Sequence, residues 1–104
     1  MEWTCEQVKA RLDAAEPMRL VDCREPTEWA FNRIDGAMHV PMREIPARLG
    51  DLPRDQPILV YCHHGIRSLQ VAAFLRERGF AEAWSMAGGI DAWSQRIDPQ
   101  TPRY

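Results

Sequence analysis

Four residue types that support sulfur or oxyanion chemistry fall in one short run, Cys62-His63-His64-Gly65-Ile66-Arg67-Ser68. A nucleophilic thiolate needs stabilised negative charge, partial access and room for its adduct. Gly65 permits backbone conformations that turn N–H groups inward, forming an anion nest. Arg67 adds a permanent planar cation suited to a tetrahedral oxyanion such as a sulfonate or a phosphate. Ser68 supplies a hydroxyl and is expected to cap the helix that follows. His63 or His64, as a cation near Cys62, would also favour the thiolate. Side chains at successive loop positions diverge, so at most one of the two is expected to meet a substrate. Cys62, His63 and His64 are metal-ligand types, but neighbours in a tight turn make poor tetrahedral geometry, and no metal is expected. The reading is thus a nucleophile, Cys62, within a binding loop of His63, His64, Gly65, Ile66, Arg67 and Ser68. Residue types alone leave phosphate, arsenate and sulfane sulfur open as ligands.

The elements around the loop are those that would aim it. Ile58-Leu59-Val60-Tyr61 is an apolar run with the look of a strand buried on both faces. After Ser68 comes Leu-Gln-Val-Ala-Ala-Phe-Leu-Arg-Glu-Arg, rich in helix formers and closed by Gly79. Cys62 therefore stands at a strand-to-helix turn, where backbone N–H groups converge and a helix dipole begins. Upstream, Thr4-Cys5-Glu6-Gln7 fits a capping box, and Cys5, Val8, Leu12 and Ala15 recur at helical spacing up to a stop at Pro17. Arg19 to Cys23 reads as a buried strand, and Pro26 opens a short helix through Phe31. Ala37 to Val40 reads as a strand stopped by Pro41, and Met42 to Leu49 as a helix ending at Gly50. Ala83 to Met86 reads as the last strand, with Gly88-Gly89 turning into a final helix holding Ile90 and Trp93. Residues 98–104, with Pro99 and Pro102, are expected to form a loose tail on a single domain, 1–104.

Strands alternate with helices, and the connections are too long for hairpins. This predicts an α/β fold with a mostly parallel central sheet of about five strands and helices on both faces. Ligands in such folds sit at the carboxyl ends of strands, which brings Asp22, Cys23 and Arg24 beside Cys62. Thirteen basic against fifteen acidic residues give a net charge of −2, so no global field recruits nucleic acid or an anionic membrane. No apolar run approaches a membrane span, and Met-Glu-Trp-Thr lacks the pattern of a signal peptide. Three widely spaced cysteines with no C-x-x-C pair read as free thiols, and the expected location is cytoplasmic.

Cys62 to Ser68 resembles the Cys-x-x-Gly-x-Arg-Ser active-site loop of the rhodanese-like sulfurtransferases. Leu20-Val21-Asp22-Cys23-Arg24-Glu25 with Glu28-Trp29, and then Ile34-Asp35-Gly36-Ala37-Met38-His39-Val40-Pro41, is similar to that family's Asp-x-Arg-Glu opening and its Gly-Ala segment ending in Pro. Gly88-Gly89-Ile90-Asp91-Ala92-Trp93 is similar to its closing Gly-Gly-x-x-x-Trp. Each motif alone is weak, but three in the right order span nearly the whole chain. The resemblance implies transfer of sulfane sulfur from thiosulfate or a similar small anion, through a persulfide on Cys62, to cyanide or a thiol, including a protein thiol. It implies no cofactor.

The resemblance leaves other readings to weigh. Tyrosine phosphatases cradle phosphate in Cys-x5-Arg, whereas four residues separate Cys62 from Arg67, and Tyr61 stands where those enzymes carry His. A phosphatase or arsenate reductase on this fold is therefore the lesser alternative. A non-catalytic module or a persulfide carrier is the other, although such modules commonly lose the cysteine. Asp22 and Arg24 are expected to support the loop, Asp22 by bonding its N–H groups or Arg67. The competing expectation for Arg24 is an ion pair with Glu25 or Glu28. Cys23 reads as a small buried side chain, with resolution of a Cys62 persulfide as the other possibility. His39 reads as structural, Trp29, Trp84 and Trp93 as core, and Trp3 as exposed.

Overall fold

The computed structural model describes residues 1–104. Its elements in chain order are β1 (Glu2–Trp3), α1 (Cys5–Asp13), β2 (Arg19–Asp22), α2 (Pro26–Phe31) and β3 (Met38–His39). A 3-10 segment (Met42–Asp51), β4 (Ile58–Tyr61), α3 (Ile66–Glu77), β5 (Ala83–Met86) and α4 (Gly89–Arg96) complete the chain. The five strands form one sheet in the order β1-β5-β4-β2-β3, and every pairing is parallel. No helix is long and apolar enough to cross a membrane.

Parallel strands need crossovers, and the crossovers here cover both faces of the sheet. On one face Val21, Cys23, Val60, Cys62 and Ala83 pack with Val71, Ala72 and Leu75 of α3, with Ile45 of the 3-10 segment and with Leu52 just after it. On the other, Leu20, Leu59, Tyr61 and Met86 meet Cys5 and Val8 of α1 and Ile90 and Trp93 of α4. The period-2 alternation of β2 and β4 divides their side chains between these two layers. All four residues of β4 are buried, as a central strand requires.

Several local expectations change. The capping box at Thr4 and Gln7 is present, but α1 stops at Asp13, ahead of Pro17, because Ala15 takes a left-handed conformation at φ 54°. The segment from Met42 is 3-10 rather than α: Pro46 within it lacks an N–H to donate, and Arg48 leaves helical geometry. Glu2–Trp3 forms an edge strand absent from the sequence reading, and Trp3 is buried, stacked on Trp84 with ring centroids 4.9 Å apart. Trp93 is core, whereas Trp29 and Trp84 are only partly buried. The expected loose tail lies against the domain. Asn32 Nδ2 donates to the Pro102 carbonyl at 2.6 Å, Ser94 donates to the Thr101 carbonyl, and Tyr104 reaches α2. Its prolines limit regular structure, but side-chain hydrogen bonds hold it down all the same.

Candidate functional site

β4 ends at Tyr61, and the chain turns through Cys62-His63-His64-Gly65 into α3. Gly65 is the N-cap at φ 99°, a left-handed value that a side chain resists. A Cβ there would also stand 3.2 Å from the Gly88 nitrogen, so the loop and the turn before α4 touch backbone to backbone. The Ile90 and Asp91 N–H groups donate to the Cys62 and His63 carbonyls at 2.8 and 3.1 Å. Gly89, at φ 62°, must be glycine for that approach, because a Cβ would overlap both carbonyl groups. The closing Gly-Gly motif thus grips the outer edge of the cysteine loop.

Inside the loop, the Gly65 N–H donates to Cys62 Sγ at 3.1 Å and the Ser68 N–H at 3.4 Å. Ser68 does not cap α3; it lies in the first turn, with its hydroxyl 3.4 Å from Cys62 Sγ and 2.7 Å from the Ser85 hydroxyl. With the sulfur ionised, Ser85 donates to Ser68 and Ser68 donates to the thiolate. Ser85 was invisible as a site residue in the sequence; its one signal is a fully buried hydroxyl in an otherwise apolar strand. Cys62 itself is only 1% exposed. The neighbouring Cys23 thiol, then the hydrogen bonds from Ser68 and Gly65, hold the Cys62 thiol well below its ordinary range although burial opposes them. The Cys23 thiol is pushed the other way, by its neighbour Cys62 and by burial.

A depressed thiol is ionised at lower pH than a free one, and the sign can be checked directly. The thiolate's ultraviolet absorbance, taken as wild type minus Cys62→Ser, should persist as pH falls through neutrality instead of vanishing below the ordinary 9.0. A difference signal that titrates near 9.0 would remove this account of the loop.

Arg67 does not stand free to meet an anion. Its guanidinium grips Glu28 of α2 with both forks, Nη1 to Oε1 at 2.7 Å and Nη2 to Oε2 at 3.0 Å. This pairing holds the Glu28 carboxyl down at about 2, with Arg67 the largest cause. The Tyr104 hydroxyl donates to Glu28 Oε2 at 2.6 Å and accepts from Arg24 Nη1 at 2.8 Å. Glu28, named with Glu25 in the competing expectation for Arg24, is instead the partner of Arg67.

Asp22 and Arg24 form a buried pair beneath this layer, both side chains fully buried. Asp22 accepts from the Arg24 backbone N–H at 2.9 Å, from Nε at 3.0 and 3.1 Å, and from Nη2 at 2.7 Å. Asn32 accepts from Arg24 Nη1 and Nη2 through its side-chain and backbone oxygens, each at 2.7 Å, and the Tyr104 hydroxyl takes the other Nη1 donor. Asp22 therefore bonds neither the loop amides nor Arg67. His39 donates from Nε2 to the Arg24 carbonyl at 2.8 Å and stacks on Trp29, a structural arrangement.

His63 and His64 do not diverge: their ring centroids are 3.9 Å apart, and His63 also stacks on Tyr104 at 3.9 Å. His63 Nε2 lies 3.0 Å from the Tyr104 backbone oxygen, and His64 Nε2 lies 3.7 Å from Asp91. The potential ligand atoms brought together are those of His63, His64 and Asp91, within 4.8 Å of one another, rather than those of Cys62 and the two histidines. Asp91 is already paired with Arg103 at 2.9 Å. Ile66 is 72% exposed, at the rim of the loop.

Comparison with known proteins places this geometry. A family model, "Rhodanese-like domain", matches residues 4–96. The chain is 38% identical over 90 residues to a sulfurtransferase of Allochromatium vinosum, covering 86% of this chain and 84% of that protein. It is 32% identical over 85 residues to the thiosulfate sulfurtransferase GlpE of Shewanella oneidensis, covering 82% and 84%. Its structure is similar to that of a rhodanese-like domain protein from Staphylococcus aureus, with a TM-score of 0.86 at 28% identity over 100% of this chain and 99% of that one. With the match running across nearly its whole length, the chain belongs to the rhodanese-like domain family.

Proposed function

We propose that this protein is a sulfurtransferase that carries sulfane sulfur as a persulfide on Cys62. The observation that carries this reading is the sulfur of Cys62 lying under the inward N–H groups of Gly65 and Ser68. Those donors favour a thiolate before the reaction and an anionic outer sulfur after it. The thiolate attacks the outer sulfur of thiosulfate or a similar small anionic donor, and sulfite leaves with the bonding pair. An acceptor, cyanide in an assay or a thiol such as a protein cysteine, then attacks that outer sulfur, and the Cys62 thiolate leaves. The name of the Shewanella oneidensis relative supports thiosulfate as a donor.

Arg67 meets the donor as half of an ion pair with Glu28, so it orients an oxyanion by sharing its fork rather than by offering bare charge. The four-residue gap between Cys62 and Arg67 draws the ring tighter than a phosphate loop, which favours a single sulfur atom over a tetrahedral phosphoryl group. Asp22 and Arg24 act one layer further out, holding the strand end beside the loop. Nothing in the two transfer steps calls for a cofactor. The free thiols of Cys5, Cys23 and Cys62 suit a reducing, cytoplasmic setting.

Incubation with thiosulfate should add the mass of one sulfur atom to the intact chain, mapped to the Cys62 peptide. Later addition of cyanide should remove that mass and yield thiocyanate stoichiometrically. No adduct by intact-mass spectrometry after thiosulfate, with the fold intact, defeats the reading for that donor.

A further inference from the structure

Cys23 is a buried nucleophile that the two transfer steps leave unused. β2 and β4 run parallel with Val21 opposite Val60 and Asp22 opposite Tyr61. The Cys23 N–H donates to the Tyr61 carbonyl at 3.1 Å, which carries the ladder one residue past both strand ends. Cys23 and Cys62 are therefore lateral neighbours. Alternation puts them on the same face, and both pack in the layer that α3 covers, each 1% exposed. Adjacent strands lie about 4.8 Å apart, within the range of about 4.4 to 6.8 Å that the Cα atoms of a disulfide span, so this pair lies within bridging range. Cys5, the third thiol, is in the opposite layer and donates to the Ala87 carbonyl.

We propose that Cys23 resolves a Cys62 persulfide by attacking its inner sulfur, forming a Cys23–Cys62 disulfide and expelling hydrosulfide. The inference rests on the persulfide reading above and adds a second, reductive activity to it. In this step a bond forms between Cys23 Sγ and Cys62 Sγ while the bond from Cys62 Sγ to the outer sulfur breaks. The outer sulfur leaves with the bonding pair and with the proton of Cys23. The two protein sulfurs are oxidised to the disulfide and the sulfane sulfur is reduced to sulfide, so no outside oxidant enters. An external dithiol returns both cysteines to thiols. Over one cycle, thiosulfate and a dithiol give sulfite, hydrogen sulfide and a cyclic disulfide.

The surroundings suit the step. Cys23 approaches from the β2 side, while the Gly65 and Ser68 amides that donate to Cys62 Sγ lie at the start of α3. Burial keeps external thiols from the inner sulfur and leaves Cys23 as the partner in reach. As a lateral neighbour on the same face, Cys23 brings its own proton to the side from which the inner sulfur is attacked.

The test loads the full chain with limiting thiosulfate in the absence of reductant, and follows intact mass, released sulfide and the peptide map together. Wild type should show a transient gain of one sulfur, then a chain two hydrogens lighter, one sulfide released and a Cys23–Cys62 cross-linked peptide. Cys5→Ser should do the same. Cys23→Ala should hold its added sulfur at least about tenfold longer and release no sulfide, as expected when an intramolecular reactant is removed. A wild-type adduct that persists, with no sulfide and no cross-link, overturns the proposal and leaves the persulfide reading standing. Absence of both adduct and disulfide in every chain brings down both. If Cys23→Ala does not fold, the wild-type peptide map decides alone.

Discussion

Cys62→Ser is expected to take up no sulfur from thiosulfate and to lose transfer to cyanide by about 10³-fold or more. The substitution keeps a hydrogen-bonding side chain of similar size under the Gly65 and Ser68 amides, so the loop should keep its shape. What it removes is ionisation. Those amides, with the Ser68 and Cys23 side chains, hold the thiol well down, but an alcohol starts too high for the same donors to ionise it near neutrality. Oxygen in place of sulfur also cannot hold a persulfide. Thiosulfate:cyanide assays and intact mass should be run on both chains, with circular dichroism to show that the fold survives. Retention of a tenth of wild-type turnover would move the chemistry off Cys62. Loss of cyanide transfer in wild type too, with uptake preserved, would point to a carrier that serves a protein thiol.

The largest effect on stability should come from Asp22→Ala, about 3–5 kcal/mol, the range for breaking a buried ion pair from one side. Arg24 is fully buried, and Asp22 accepts from its Nε, its Nη2 and its backbone N–H. Asn32 and the Tyr104 hydroxyl hold other donors but carry no compensating charge. Alanine therefore strands a cation with no route to water. Urea denaturation at unchanged m should report the loss as a lower midpoint. Adding Arg24→Met to Asp22→Ala should restore a large part of it, since the stranded charge goes, and a double-mutant cycle measures the coupling. A cost for Asp22→Ala below about 1 kcal/mol, the value of a solvent-exposed pair, would show that Arg24 finds water or another carboxylate.

The residues that were legible in the sequence are those whose signals are local. Cys62 sits between an apolar strand and a run of helix formers, so its place at a βα turn follows from neighbours within a few positions. Alternation of such units is enough for a parallel sheet, and the sheet brings Cys23 beside Cys62. What escaped depends on pairing across the fold. Arg67 finds Glu28 because α2 packs near the start of α3, which no spacing in the chain reveals. Tyr104 ends a segment with two prolines that lacks any periodic pattern, yet one hydroxyl settles it between Arg24 and Glu28. Asn32 carries no signal in the sequence and proves to be the second partner of a buried guanidinium. The apolar i, i+4 pair Ile45 and Leu49 suggests an α-helix over 42–49, but Pro46 between them removes an N–H donor and the segment is 3-10.

For the proposed persulfide, the grip of α4 on the cysteine loop has a consequence for how long a sulfur can wait there. The Cys62 and His63 carbonyls are each occupied by an N–H of α4. A trans peptide plane sets its N–H opposite its C=O, so the His63 and His64 amides are turned away from α4 before any ligand arrives. These dipoles need little reorganisation when negative charge moves from the inner sulfur to the outer one, because rigid backbone anchors them from behind. A site oriented in advance gives a bound sulfur anion a shallow barrier to enter and a settled environment to occupy. The lifetime of the loaded state is then set by which nucleophile reaches it first rather than by rearrangement of the loop.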